Sequence, residues 1–427
     1  MIHVLQTARF TFGSLLVLTL SACASSGTAP VTTAPAPVAA PAASARLATL
    51  TTLAPAAPTA VGMDAALPAR LDSIVRVALA EGAAPGAAVA VGRFGRLVHL
   101  HGYGTLGYAD GSPSVDAGTM YDLASLTKVV ATTTLAMMLQ EAGTLDLDRT
   151  VVSYVPEFDA PDKAAITVRM LLAHTGGLEA GASLYTHYRG RAEYLAQINA
   201  RPVRAVPGTT TVYSDWDMVL MQAVIERITG APLDVVAASR IFNPLGMNDT
   251  QFLPDTSNAA LRRRIAPTIV DTSRGGLLQG TVHDGNAWAL GGVAGHAGLF
   301  STARDLAVFV QMLLNGGTYG SVRLVGPSTV ARWTARQGTA SRALGWDTPS
   351  PAGSAGRYFS PRSFGHTGYT GTSIWLDPER GLFVVLLTNR VNSHGESARH
   401  VQLRRDIADA VQSSVLDAPL IDWEARR

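Results

Sequence analysis

Strand-like segments stand at both ends of the folded part of this chain, and the long stretch between them reads as helix. Ala87 to Val91 and Arg96 to His101 form a strand pair turning at Gly92 to Gly95. Near the other end, Ser373 to Leu376 and Leu382 to Thr388 form a second pair, with turn chemistry in Asp377 to Gly381. Leu71, Ile74, Val75 and Ala78 share one face of a helix over residues 71–80, and a last helix is expected over about 398–411. From Ser125 to about Leu314 the pattern is mostly helical, broken by loops. This order predicts an α+β fold: one antiparallel β-sheet built from both ends and flanked by helices, with an inserted, mostly helical lobe.

The folded part is expected over residues 67–423. Ahead of it, residues 23–66 are dominated by Ala, Pro, Thr and Ser, without periodic apolar positions. Such a stretch buries too little surface to offset its ordering entropy, and reads as an extended tether. Residues 1–22 carry Arg9 and then the apolar run Gly13 to Leu20, which is too short to span a bilayer and reads as a secretory signal. Leu20-Ser21-Ala22-Cys23 resembles a bacterial lipobox, and Cys23 is the only cysteine in the chain. Lipidation of Cys23 would make this an exported, membrane-anchored lipoprotein facing the periplasm or the cell exterior. A single cysteine also excludes an internal disulfide and any cysteine-based zinc cluster.

Net charge is +2 and the lysines are only Lys128 and Lys163. Nucleic acid is therefore not an expected partner. Arg262-Arg263-Arg264, the one notable basic run, reads as a solvated helix face.

Four segments carry candidate chemistry. Ser125-Leu126-Thr127-Lys128 opens a helix that Gly143 would terminate, and residues three apart on a helix lie about 5–6 Å apart on one face. A serine hydroxyl needs a neighbour to take its proton, and burial is expected to bring Lys128 toward neutrality for that purpose. Tyr213-Ser214-Asp215 precedes the apolar helix Met218 to Ile228, with Tyr213 a proton relay candidate and Asp215 well placed as the helix N-cap. His366-Thr367-Gly368-Tyr369 leads into the strand at Ser373, where small residues allow close approach and amides can stabilise an oxyanion. His174, in Leu171-Leu172-Ala173-His174-Thr175-Gly176-Gly177-Leu178, reads as part of a helix cap.

Taken in order, Ser125-x-x-Lys128, Tyr213-Ser214-Asp215 and His366-Thr367-Gly368 resemble the serine β-lactamase and penicillin-binding protein family, in particular its class C β-lactamase-like branch. Tyr121-Asp122-Leu123-Ala124, the segment Ile241 to Met247 and the segment Gly292 to Thr302 add to the likeness, which covers about residues 67–411. The resemblance implies a β-lactamase/transpeptidase-like fold and acylation of Ser125, with Lys128 and Tyr213 moving protons. It also implies an oxyanion hole from the amides of Ser125 and Tyr369, and a substrate-binding edge at Asp215, His366, Thr367 and Gly368.

Two positions depart from β-lactamase relatives, which usually carry Asn at 215 and Lys at 366. Asp215 adds a negative charge, and a histidine is mostly neutral near pH 7, so an anionic antibiotic is disfavoured. The expected substrates are an ester, a D-amino-acid peptide or a β-lactam, in that order. If His366 acts when charged, activity should change between about pH 5 and 8. This chemistry needs no cofactor and no metal. Among the ten histidines no pair has His-x-x-x-His spacing, and His283-Asp284 is the nearest approach to a ligand pair. The competing possibility is an inactive cell-wall-binding or sensor lipoprotein of the same fold, which would need none of Ser125, Lys128 and Tyr213. The segments Glu179 to Ala205 and Asp255 to Asn286 are expected to wall the pocket.

Overall fold

A computed structural model describes residues 51–338, 340–351, 353–392 and 399–426. The two terminal strand pairs meet in one six-stranded sheet. Its order is Ala54–Pro55, Arg96–Gly104, Gly86–Arg93, Leu382–Thr388, Ser373–Asp377, Phe364–Thr367. All neighbours are antiparallel except Ala54–Pro55, which runs parallel to Arg96 and Leu97. The two ends of the chain join where Val89 faces Leu386 and Val91 faces Val384.

Burial on both faces explains the unbroken apolar runs in the central strands. On one face Ala87, Val89, Val91, Trp375, Val384 and Leu386 form a buried cluster with Leu67, Leu71 and Val75 of the helix Leu67–Ala80. Leu403, Ile407 and Val411 of the helix Arg399–Ser413 complete that cluster. On the other face Ala88, Ala90, Ile374, Phe383, Val385 and Leu387 join Leu306, Phe309 and Val310 of the helix Ala303–Leu314, and with them the core of the inserted lobe. Each fully buried Val, Leu or Phe is worth about 1.5–3 kcal/mol, so the sheet is the natural frame for a site at its edge.

The α+β arrangement expected from the sequence is the observed one. The strand Leu382–Thr388 has the expected bounds, while Gly86–Arg93, Arg96–Gly104, Ser373–Asp377 and the first helix run longer than the apolar pattern indicates. The lobe between residues 105 and 363 also holds short strands among its helices, including Tyr121–Asp122 and Gln251–Phe252 on either side of Leu299–Ser301.

The tether boundary differs too. Residues 54–66, which composition places in the tether, lie on the domain. Val61 and Met63 are fully buried, and the Arg93 guanidinium donates to the Val61 carbonyl at 2.6 Å. Two apolar anchors in an Ala/Pro-rich stretch give no periodic signal, which is why composition conceals them. Cys23, the leader and the tether up to residue 50 lie outside the described residues. Among the described residues no helix is long and apolar enough to cross a membrane.

Candidate active site

The approach to Ser125 is rigid. Tyr121–Asp122 pairs with Leu299–Ser301, and the Leu123 amide donates to the Leu299 carbonyl at 2.9 Å. The buried Asp122 carboxylate accepts from the Ala124 amide at 2.8 Å and the His283 amide at 2.6 Å, and burial pushes it up to about 6. Ala124 then takes a left-handed conformation, φ 46°, unfavourable for a residue with a Cβ. Strain of this kind persists only where the surroundings hold it, and here it turns the chain sharply just before Ser125.

After Ser125 the chain enters a helix, as the sequence predicts, but residues Lys128–Thr133 form wide π-type turns before the α-helix Thr134–Glu141. The Thr134 hydroxyl reaches back five residues to the Val129 carbonyl at 2.8 Å, which suits the wider turn. Gly143, at φ 73°, follows the end of the helix as expected.

Lys128 is fully buried, with 0% of its side chain exposed. Its Nζ donates to Ser125 Oγ at 3.1 Å and to the His296 carbonyl at 3.0 Å, and pairs with Asp215 Oδ1 at 2.7 Å. This corrects the expected neutral lysine. Burial does push Lys128 toward neutrality, but the Asp215 carboxylate and the Tyr213 hydroxyl outweigh it, and the amine is held more basic than usual.

Asp215 is likewise not the N-cap. It is the first residue of the helix Asp215–Thr229, with Ser214 in the capping position, and its carboxylate is turned to Lys128.

Tyr213 is brought beside both. Lys128 Nζ lies 4.9 Å from its ring centroid, and the Tyr213 hydroxyl interacts electrostatically with Lys128 and Ser125. Burial raises the phenol above its ordinary value, and the Lys128 charge works against that rise.

The strand Phe364–Thr367 brings His366 to the same place, its ring 5.9 Å from that of Tyr213. His366 is buried, and burial with the Arg342 and Lys128 charges holds it well below its ordinary value. This biases it toward the neutral imidazole, against the condition under which its charge would change activity between about pH 5 and 8.

Gly368 packs so tightly that a Cβ would lie 2.4 Å from the Leu123 carbonyl and 2.1 Å from Thr372 Oγ1. The hydroxyls of Thr370 and Thr372 donate to the carbonyls of Asp122 and Leu123 at 2.7 and 3.0 Å. These contacts fix the 368–372 turn against the segment that presents Ser125. Among the described residues, the Ser125 and Tyr369 amides donate to no other group, so both are available to an oxyanion. Tyr369 itself is 57% exposed.

A pocket of about 420 Å³ opens over Ser125, lined also by Tyr213, Asp215, Tyr369, Tyr185, Arg274, Asp284 and His296. Tyr185, Arg274 and Asp284 come from the two segments expected to wall it.

Several neighbours are not singled out by their local sequence. His174, which reads as a cap, is buried against Tyr213 and paired with Asp217. Arg342 holds its guanidinium 4.9 Å over the Tyr213 ring and pairs with Asp347 at 3.0 Å. Arg404 of the last helix donates to the carbonyls of Gly368 and Thr372, both at 2.8 Å. Asp284 pairs with His296, not with the adjacent His283, at 2.9 Å. Its carboxylate, that of Asp215 and the His296 imidazole offer ligand atoms within 4.8 Å of one another, and the Lys128 ammonium already engages Asp215 there.

A profile of the Beta-lactamase family matches residues 71–409. A protein of Escherichia coli (strain K12) named "Putative D-alanyl-D-alanine carboxypeptidase" is 34% identical over 334 residues, covering 70% of this chain and 76% of its own. A protein of the same name from Salmonella agona (strain SL483) is 35% identical over 305 residues, covering 64% and 70%. Among solved structures, EstCE1, a hydrolase with promiscuous acyltransferase activity, superposes with a TM-score of 0.66 at 24% identity, over 81% of this chain and 98% of that one. The beta-lactamase/D-alanine carboxypeptidase from Pseudomonas syringae gives 0.64 at 22%, over 80% and 98%. At these identities the structures establish the fold. With the profile spanning most of the sequence and the curated relatives above 30% identity, the chain belongs to the Beta-lactamase family.

Proposed function

We propose that this protein is an exported serine hydrolase that transfers an acyl group to water through an ester of Ser125, with D-amino-acid peptides as its first substrate class. The observation that carries the reading is the cluster in which the buried Lys128 ammonium donates to Ser125 Oγ at 3.1 Å and lies 4.9 Å from the Tyr213 ring, beside two uncommitted amides.

Because Asp215 keeps Lys128 charged, the proton of Ser125 goes to the minor phenolate form of Tyr213, which burial disfavours and the Lys128 ammonium partly restores. Ser125 Oγ attacks the carbonyl carbon, and the oxyanion forms between the Ser125 and Tyr369 amides. The bond to the leaving amine or alkoxide breaks as Tyr213 returns the proton to it. Water then repeats the sequence on the ester, releasing a carboxylic acid and restoring Ser125. The protons of Lys128 and Tyr213 form one coupled system, so a pH profile reports the pair.

Two observations move a peptide ahead of a simple ester. The curated relatives carry a carboxypeptidase name. Arg342, paired with Asp347, sets beside Tyr213 and His366 a cation that neutral His366 does not, and a guanidinium suits a terminal carboxylate. The competing reading, an inactive binding lipoprotein, gives no reason for a serine held between an ammonium and a phenol.

The test is intact-mass analysis after incubation with a fluorophosphonate, a penicillin and a p-nitrophenyl ester, alongside release of D-alanine from a D-Ala-D-Ala peptide. A covalent adduct absent in Ser125→Ala supports the hydrolase. An Arg342→Gln variant should raise KM for the peptide roughly tenfold and leave ester KM within about twofold, the loss expected for one charge-assisted bond. No adduct with any probe would support the binding lipoprotein instead.

A further inference from the structure

His174 lies in the segment after the short helix Val168–Leu172, 39 residues ahead of Tyr213, yet it holds the tyrosine loop on both sides. Its carbonyl accepts from the Val212 amide at 2.8 Å, and its Nδ1 lies 3.3 Å from the Ser214 amide. Its ring stands 4.8 Å from the Tyr213 ring. So the residue before Tyr213, the residue after it and the phenol ring all rest on one histidine.

That histidine is itself held in an unusual way. It is a non-glycine residue in the left-handed region, φ 55°, which an L side chain adopts only when its surroundings demand it. Its Nδ1 lies 2.7 Å from Asp217 Oδ2, and both side chains are essentially inaccessible, at 0% and 1% exposure. Gly176 completes the wrap, since a Cβ there would sit 3.1 Å from Asp217 Oδ1. The opposite nitrogen, Nε2, has no partner among the described residues.

We propose that the buried Asp217–His174 pair is the positioning unit for Tyr213, fixing where the phenol stands relative to Lys128 and Ser125 without touching substrate. The inference rests on the hydrolase reading and adds residues to its machinery.

A helix cap alone would need neither the ring contact nor the aspartate. Burial favours the neutral form of each partner, lowering the imidazole and raising the carboxyl. The Ser214 amide donates to the same Nδ1, and burial disfavours a separated charge pair beneath the phenol. This matters because the phenol is already surrounded by charge. Lys128 faces it from the helix after Ser125, Asp215 from its own segment and Arg342 from the loop ahead of the strand Phe364–Thr367, with neutral His366 on that strand. A neutral prop leaves that balance to Lys128, Asp215 and Arg342, and the distance to Lys128 becomes the quantity that the prop controls.

The test uses the whole exported chain. His174→Asn is the informative variant, because asparagine tolerates the left-handed backbone while removing the ring under Tyr213. The expected result is a fall in kcat for a p-nitrophenyl ester of roughly 10- to 100-fold, the scale of a misplaced proton-transfer group. KM should stay within about threefold, with a displaced pH profile and a melting temperature close to that of the parent. Asp217→Asn keeps an N–H donor for Nδ1 and should lose far less kcat than Asp217→Leu, which keeps none. A folded His174→Asn protein with parental kcat and an unmoved pH profile would overturn the proposal, as would equal losses in Asp217→Asn and Asp217→Leu. A parent protein silent toward every substrate and probe is a different outcome: it removes the hydrolase reading, and the positioning role with it.

Discussion

The ammonium of Lys128 and the carboxylate of Asp215 lie 2.7 Å apart, the lysine fully buried and the aspartate side chain 27% exposed. In the proposed mechanism, an ion pair this close to Ser125 decides which group accepts the serine proton. A bare buried lysine would be poised near neutrality, whereas a paired one stays charged and stabilises a neighbouring phenolate instead. On the proposed mechanism, Asp215, one of the two departures from β-lactamase relatives, therefore alters the base as well as the pocket wall.

Asp215→Asn tests this directly. The Asp215 charge raises both Lys128 and Tyr213, so its removal lowers both. Activity requires a deprotonated form of the pair, so the acid limb of the kcat/KM profile should move to lower pH, by roughly one unit or more for charges in contact. Steady-state rates of ester hydrolysis across pH 5 to 10 measure it. A limb that stays in place, or moves to higher pH, rules out the assigned roles.

His366 gives the complementary expectation. Burial and the Arg342 and Lys128 charges keep it neutral well below its ordinary range. A His366→Gln variant, of similar length and with a donor and an acceptor, should show the parental pH dependence between pH 5 and 8 even if its overall rate falls. Loss of an ionisation step in that interval would mean that the imidazole does titrate there.

Gly368 carries the close approach of the strand edge to the serine turn. In Gly368→Ala the new methyl would lie 2.4 Å from the Leu123 carbonyl and 2.1 Å from Thr372 Oγ1, so the turn bearing the Tyr369 amide must move away. Losing one oxyanion donor costs about 10²–10³ in rate. The expected outcome is a kcat loss of that order, with the fluorophosphonate reaction at Ser125 slowed in parallel.

Much of this site is legible in the sequence because its chemistry sits in short motifs. Ser125 and Lys128 are three apart, and the Tyr213 and His366 segments each bracket a recognisable element boundary. The rest depends on contacts between distant segments that leave no local trace. His174 and Asp217 are 43 residues apart, and Lys128 and His296 are 168 apart. His174 reads locally as an ordinary cap, and Asp217 and His296 stand out in no motif of their own. The ionisation of Lys128 is hidden for the same reason: its burial shows in the flanking apolar residues, while its partner Asp215 reads as a helix terminus. The anchors Val61 and Met63 escape notice because an Ala/Pro-rich segment gives no periodicity to read.

The proposed export rests on Cys23 within Leu20-Ser21-Ala22-Cys23. Acylation there would place the hydrolase on a membrane surface at the end of a Pro-stiffened tether. Cys23→Ser should convert a detergent-requiring protein into one recovered in the soluble exported fraction, read by fractionation and by the mass of the N-terminal peptide. Unchanged membrane association with an unmodified peptide would refute the anchor.

Acid should weaken the fold through buried histidines. His99 and His283 are pushed down to about 4 by burial, and His174 and His366 lie well below their ordinary value. An unfolded chain protonates each near pH 6.5, so below that pH the unfolded state takes up protons that the folded state refuses. Each such histidine costs about 1.4 kcal/mol of stability per pH unit until its folded value is reached. Asp122, pushed up to about 6, and Asp217, raised well above its ordinary value, act in the opposite sense, since they gain protons in the folded state first. Asp305, Asp347 and Asp409, also raised, act with them, so the carboxylates offset part of the histidine effect. His99 is the cleanest probe: it bonds Tyr103 at 2.8 Å on the strand Arg96–Gly104 and does not line the pocket over Ser125. Urea unfolding of His99→Gln should therefore show a pH slope shallower than the parent by about 1.4 kcal/mol per unit between pH 6 and 4, and parallel slopes would place the acid sensitivity elsewhere.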